Sequence, residues 1–396
     1  MSEMIENHAV SIVTAVLPRR SSGRVINRVF NEGDPSVLLM QARGTLAKDR
    51  WYQSILPLVS PEKSILQFYV PDWEVDHIME EVVDSGRLHM AGAGAVFSVP
   101  CEEFFHSSDL QLWSGGREQT DRRDASHTLK ENLTAIFCIV QPEQSDVVAR
   151  AAMQAGGHGP IVHYCEGRGL RDRLGWLRIT KKRTKEELLL IVDNADADAV
   201  VEAMVSAGRI DTPGRGFLFR MPVEKGLISI ASTYGSVRQQ ASMQQIVAAI
   251  DQLQGGTNWR DRSVIEGVAA KSAGLKLFGK IRQRTALEDQ VILSCVAARK
   301  VTPDIMRTVT RAGAPGANVA QAKFIEEACE KTSQGVRLTT ERGIVHIVLE
   351  RGHAETVARA VRDYIAEQGL TTACVYTQPV TRAHTYLGAE TAAQAS

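Results

Sequence analysis

Apolar residues along this chain follow one pattern three times over. Short runs of branched and aromatic residues, too short to be helices, alternate with stretches whose apolar residues recur at helical spacing. Val10 to Leu17, Leu133 to Val140 and Val291 to Ala297 are predicted first strands. Helices are predicted next, over Gly23 to Asn31, Ser145 to Ala155 and Pro303 to Arg311, with Gly33, Gly156 and Gly313 close to their ends. Thr302 before Pro303 is the expected N-cap of the third. Second strands follow at Ser36 to Ala42, Pro160 to Cys165 and Ala317 to Phe324, and third strands at Ile65 to Val70, Leu188 to Val192 and Ile344 to Leu349. A second helix comes next. Val75, Ile78, Met79, Val82 and Val83 form one apolar face, repeated by Ala197, Val200, Val201, Met204 and Val205, and nearly again by Ala354, Val357, Ala358, Val361 and Ile365.

The first two repeats also share residues. Segment 85–100, SGRLHMAGAGAVFSVP, aligns without gaps on 207–222, AGRIDTPGRGFLFRMP. Gly86, Arg87, Gly92, Gly94, Phe97 and Pro100 match Gly208, Arg209, Gly214, Gly216, Phe219 and Pro222. Each unit therefore reads β-α-β-β-α-β, the split βαβ arrangement with two helices on one sheet face. The other face needs cover as well. Alternation such as Phe217-Leu218-Phe219 puts large side chains on both faces, and each one left in water forgoes about 1.5–3 kcal/mol. The expected fold is α+β: three ferredoxin-like units packed on one another rather than strung as separate beads.

The expected boundaries are 8–113 for the first unit, 114–130 for a polar linker, 131–234 for the second unit, 235–288 for a helical connector, 289–388 for a degenerate third unit and 389–396 for a tail. The 396 residues are 44% hydrophobic and 23% charged, an ordinary globular composition. Lys+Arg and Asp+Glu both number 46, which removes any global electrostatic case for nucleic acid. No apolar run is long enough to span a bilayer, and MSEMIENHAV carries acids without a basic n-region, so a cytoplasmic, non-membrane protein is expected. Cys101, Cys138, Cys165, Cys295, Cys329 and Cys374 form no CxxC pair and read as reduced, mostly core thiols.

Glu166-Gly167-Arg168-Gly169, a charged loop, a strand, a helix and then Gly208-Arg209-Ile210-Asp211-Thr212-Pro213-Gly214-Arg215-Gly216 resemble the PII nitrogen-regulator superfamily. The first glycine pair is similar to the base of that family's T-loop, and the second motif is similar to its B-loop. The first unit keeps Arg43-Gly44 and Gly92-Ala93-Gly94; the third lacks both signatures. The resemblance implies an intramolecular, monomeric pseudotrimer that binds an effector, an adenine nucleotide (AMP, ADP or ATP), at clefts between units. It also implies a protein partner, such as a membrane transporter or a metabolic enzyme, reached through the T-loops. Trp51 and Tyr52 stand in a T-loop position as a partner contact. Phe217 and Ala95 stand where the family has a B-loop lysine, and the glutamine expected beyond the T-loop base is absent, which weighs against ATP and 2-oxoglutarate sensing.

Glycine turns let backbone N–H groups approach an anion, and Arg168, Arg209 and Arg215 would add forked donors. The same glycines also serve as tight turns alone, and both readings stay open. Gly274 to Ile281 nearly fits a P-loop but lacks its Ser/Thr. His158, His163 and Cys165 are too few for a metal site by themselves. No catalytic constellation stands out. A ligand-free assembly protein is the alternative reading, and an enzyme on the same scaffold comes third.

Overall fold

The computed structural model describes residues 4–32, 36–45, 62–90, 93–113, 127–169, 184–229, 286–326 and 338–386. After a short β1 (Ile5–Asn7), the first unit runs β2 (Val10–Pro18), α1 (Arg19–Glu32), β3 (Val37–Gly44), β4 (Glu62–Pro71), α2 (Val75–Gly86) and β5 (Gly94–Pro100), followed by β6 (Glu103–His106). The second runs β7 (Leu133–Val140), α3 (Ser145–Gln154), β8 (His158–Gly169), β9 (Thr184–Asp193), α4 (Asn194–Gly208) and β10 (Gly216–Val223), followed by β11 (Lys225–Ser229). The third runs β12 (Gln290–Ala298), α5 (Thr302–Arg311), β13 (Gly316–Glu326), β14 (Leu338–Glu350), α6 (Arg351–Glu367) and β15 (Cys374–Val380), followed by β16 (Arg382–His384).

All three units have the same sheet order. The first strand pairs antiparallel with the third and the fourth, and the second strand flanks the third. Strand periodicity sorts the side chains to two faces. In β2, Val13, Ala15 and Leu17 face α1 and α2, whereas Ile12 and Val16 face the other way. Each unit has such a helix-side core. The opposite sheet faces meet in one further core that takes Ile12 and Phe97 from the first unit, Leu189 and Phe219 from the second, and Ile292 and Tyr376 from the third. Burial on both faces is why these strands read as near-continuous apolar runs.

The units are also stitched edge to edge in a cycle. The end of β3 pairs with β8 through Arg43↔Val162 and Gly44↔Ile161. The end of β8 pairs with β13 from Ala320↔Cys165 to Gly316↔Gly169, and the end of β13 returns to β3 through Phe324↔Leu38. The short strands close a second cycle: β6 lies on β15, β11 on β5 and β16 on β10. Each last strand of a unit thus has its edge covered by another unit, which removes an open pairing template. Phe104 anchors β6, its ring 5.5 Å from that of Tyr69 and 5.9 Å from that of Tyr376.

The elements run longer than their apolar runs suggest, and two local readings need correction. A 3₁₀ turn, Arg299–Val301, feeds α5, so Thr302 is its first residue rather than its N-cap, and its Oγ1 donates back to the Ala298 carbonyl at 3.5 Å. The expected linker also has structure at its end: Leu129 packs on the first unit's helix-side core, and Lys130 exchanges both backbone bonds with Gly226. No helix among the described residues is long and apolar enough to cross a membrane.

Candidate functional site

The two glycine-arginine motifs end α2 and α4 identically. Arg87 (φ 55°) and Arg209 (φ 50°) occupy the left-handed region, and Leu88 and Ile210 donate back to the carbonyls of Val83 and Val205 at 2.8 and 3.0 Å. That is the turn glycine usually supplies at a helix C-terminus. Further on, Gly94 and Gly216 lie against the first strand of their unit. A Cβ would stand 1.9 Å from the Val16 carbonyl oxygen at Gly94 and 2.5 Å from that of Ile139 at Gly216. Packing alone demands these two glycines.

One corner of the second unit gathers several of the predicted residues. Lys185 Nζ donates to Gln141 Oε1 at 2.7 Å, and Gln141 Nε2 donates to the Gly214 carbonyl at 3.1 Å. A Cβ on Gly167 would meet Lys185 Cγ at 3.0 Å and Asn318 Oδ1, from the third unit, at 3.2 Å. Thr385 Oγ1, also from the third unit, donates to the Gly216 carbonyl at 3.4 Å. Gly167, Gly214 and Gly216 therefore share a corner at the boundary between the second and third units. Arg215 lies in the turn between Gly214 and Gly216, while Arg209 caps the helix before it. Arg168 and Gly169 lie in the β8–β13 ladder opposite Ala317 and Gly316, so they belong to a join between units rather than to an open loop.

Arg43 is committed elsewhere. It reaches Asp146 and Ser145 at 3.0 Å each and Glu186 at 3.6 Å, which ties the first unit to the start of α3. Ser145 in turn donates to Glu186. Burial opposes the charge on Arg43, but Asp146 and Glu186 outweigh it and raise the guanidinium pKa. Gly44 lies in the ladder beside it. Gly92, Trp51 and Tyr52 lie outside the described residues, as do Cys329, the near P-loop and most of the helical connector.

A second constellation lies in the shared core, where a cavity of about 50 Å³ is lined from all three units. Its polar groups come from Thr14 and Gln67 of the first unit, His163 and Glu187 of the second, and His346, Tyr376 and Gln378 of the third, set among apolar side chains such as Met40, Phe97, Leu189 and Met221. His346 Nδ1 is 2.9 Å from Ser294 Oγ, and Gln378 Nε2 donates to the Val99 carbonyl at 3.0 Å. His163 Nε2 and Glu187 Oε2 stand 3.7 Å apart. Burial pushes Glu187 up, with His163 opposing. Burial, aided by His163, pulls His346 down to about 4. His163 thus faces a carboxyl group, and no group of His, Cys, Asp and Glu among the described residues is arranged to hold a metal ion.

No family model matches the chain. A solved microcompartment protein from Desulfitobacterium hafniense DCB is 13% identical over 62% of this chain and 95% of that one, with a TM-score of 0.15. Aspartate kinase from Synechocystis is 7% identical over 95% of this chain and 44% of that one, with a TM-score of 0.20. Chlorite dismutase from Candidatus Nitrospira defluvii is 9% identical over 63% of this chain and 92% of that one, with a TM-score of 0.14. Likenesses this faint carry no weight for fold or activity.

The polar groups of this cavity are not among the expected site residues, although the sequence carries a trace of them. Gln67 and His346 interrupt the apolar runs ILQFYV and IVHIVL, and Glu186-Glu187 opens the run LLLIV. Which face each occupies depends on the strand register.

Proposed function

We propose that the chain is a single-chain relative of the PII signalling proteins. Its three divergent copies, 8–113, 131–234 and 289–388, would act as an intramolecular pseudotrimer that binds a small effector and regulates a transporter or metabolic enzyme. The observation that carries this reading is the corner where Lys185, Gln141 and Gly214 join and Thr385 of the next copy closes on Gly216. It sets glycine backbone, a lysine and the neighbouring Arg215 at a boundary between copies, the chemistry that suits a phosphate-bearing adenine nucleotide. The boundaries are not equivalent: between the first and second copies, Arg43 is already satisfied by carboxylates. Effector binding therefore belongs mainly to the boundary of the second and third copies. The segments between β3 and β4, with Trp51 and Tyr52, and between β8 and β9 would engage the partner.

Isothermal titration with AMP, ADP and ATP tests this. Saturable heat is expected with at least one of them and is expected to fall at least tenfold in affinity in Lys185→Ala and Arg215→Ala. No heat with any of the three retires the effector. A ligand-free assembly protein is the second reading, favoured by Gly94 and Gly216, whose close backbone contacts require glycine with or without a ligand.

A further inference from the structure

Strand register makes certain core positions of the three units equivalent. Gln67 stands opposite Thr14, Leu189 opposite Phe137 and His346 opposite Ser294, each pair on the third and first strands of its unit. One position over, Ile65, Glu187 and Ile344 stand opposite Val16, Ile139 and Val296. One set of equivalent positions therefore carries an amide, a leucine and an imidazole; the next carries one carboxyl group and two isoleucines. Three identical chains around one axis would bring three copies of each group together, and three carboxyl groups in one small space repel. A fused chain escapes that constraint and can place one of each.

Glu187 is 3% exposed, yet its Oε2 has no hydrogen-bond partner among the described residues, and neither has Oε1 of Gln67. Buried acceptors left unpaired are costly and rare, and water is their usual partner. The cavity they border, about 50 Å³, is larger than the ~10–15 Å³ that one water needs. It is far below the roughly 300 Å³ at which organic ligand pockets begin. We infer that this cavity, apolar over much of its lining, is nevertheless hydrated, with ordered water bridging Gln67 of the first unit, Glu187 of the second and His346 of the third. The site fixes how the three inner sheet faces pack. A purely apolar layer tolerates sliding and repacking, whereas a buried polar network is satisfied in one arrangement only. This inference concerns the core between the units and stands whether or not any nucleotide binds.

Crystals of the full chain, diffracting well enough to place waters, test it. At least one ordered water is expected within hydrogen-bond distance of both Glu187 and Gln67, and xenon under pressure is expected to stay out of the cavity. Xenon in the cavity, or Glu187 and Gln67 paired directly to protein groups, overturns the inference. The triple variant Gln67→Leu, Glu187→Ile and His346→Leu installs at each position the residue that an equivalent position already carries. It is expected to lose the bridging water and to give doubled or broadened methyl resonances for Ile12 and Ile292 in NMR spectra. A single sharp set in the variant overturns the packing role. Should the triple variant not fold, Glu187→Gln, which keeps hydrogen-bonding capacity, is expected to retain the water, and its loss there counts against the site.

Discussion

Burial acts in opposite directions on two titratable side chains of the shared core. For His346 the folded value is about 4, against 6.5 for a free imidazole. Above pH 6.5 the folded and unfolded chains both hold it neutral. Between 6.5 and 4 the unfolded chain takes up a proton that the folded chain refuses, so stability falls as pH falls. Below about 4 the loss is complete, at about 3 kcal/mol from ~1.4 kcal/mol per pH unit. For Glu187 the folded value is raised above 4.5, so its contribution is present below 4.5 and is lost as pH rises through the folded value. Urea midpoints of the wild type and His346→Leu, compared from pH 7 to pH 4, isolate the histidine. The wild type is expected to lose about 3 kcal/mol more than the variant over that interval; parallel curves mean that His346 is not held neutral. The residues behind this behaviour are visible in the sequence only as polar interruptions of strands. The left-handed arginines are hidden in another way. Arg87 and Arg209 follow glycines that draw the eye, yet the arginine, and not the glycine, takes the strained conformation.

At the scale of elements, long periodic segments were legible and short borrowed ones were not. The six helices among the described residues announce themselves by apolar period, because one face of each is committed to its own unit's core, and the three first strands by near-continuous apolar runs, because both of their faces are buried. By contrast β6, β11 and β16 are three to five residues long, and each pairs with the edge of another unit, β6 with β1 on its other side. Nothing local specifies them. The same holds for Arg43, whose partners Ser145, Asp146 and Glu186 lie far along the chain in the second unit. Glu186 is only 5% exposed and Asp146 is 69% exposed, so the two carboxylates depend on Arg43 very differently. Arg43→Ala is expected to cost about 1–3 kcal/mol, because a buried carboxylate loses its cation. Asp146→Ala is expected to cost less than about 1 kcal/mol, as exposed pairs do. Chemical denaturation of the two variants checks the difference; equal losses would mean that the buried contact contributes nothing beyond the exposed one.

At the scale of the whole molecule, repetition was legible from the glycine motifs of the first two units, and the third unit was legible from pattern alone. How the units join was not legible, because the joins are made by strand ends such as Arg43↔Val162 and Gly316↔Gly169 and by the borrowed strands. Those joins decide the expected state in solution. A single split-βαβ unit would expose one apolar sheet face and two open edges, and it would need copies of itself to cover them. Here the inner faces share one core, and β6, β11 and β16 cover the edges of β15, β5 and β10 within one chain. Nothing in these joins calls for a second copy, so light scattering on the purified full chain is expected to give one monomer of 43.4 kDa, independent of concentration. Truncation after Val380 removes β16 and bares the edge of β10 at Leu218, Phe219 and Arg220. The truncated chain is expected to associate as concentration rises, while the full chain does not. An obligate trimer of the full chain would mean that the edges are covered between chains in solution, and the proposal of a self-contained pseudotrimer would fall with that result.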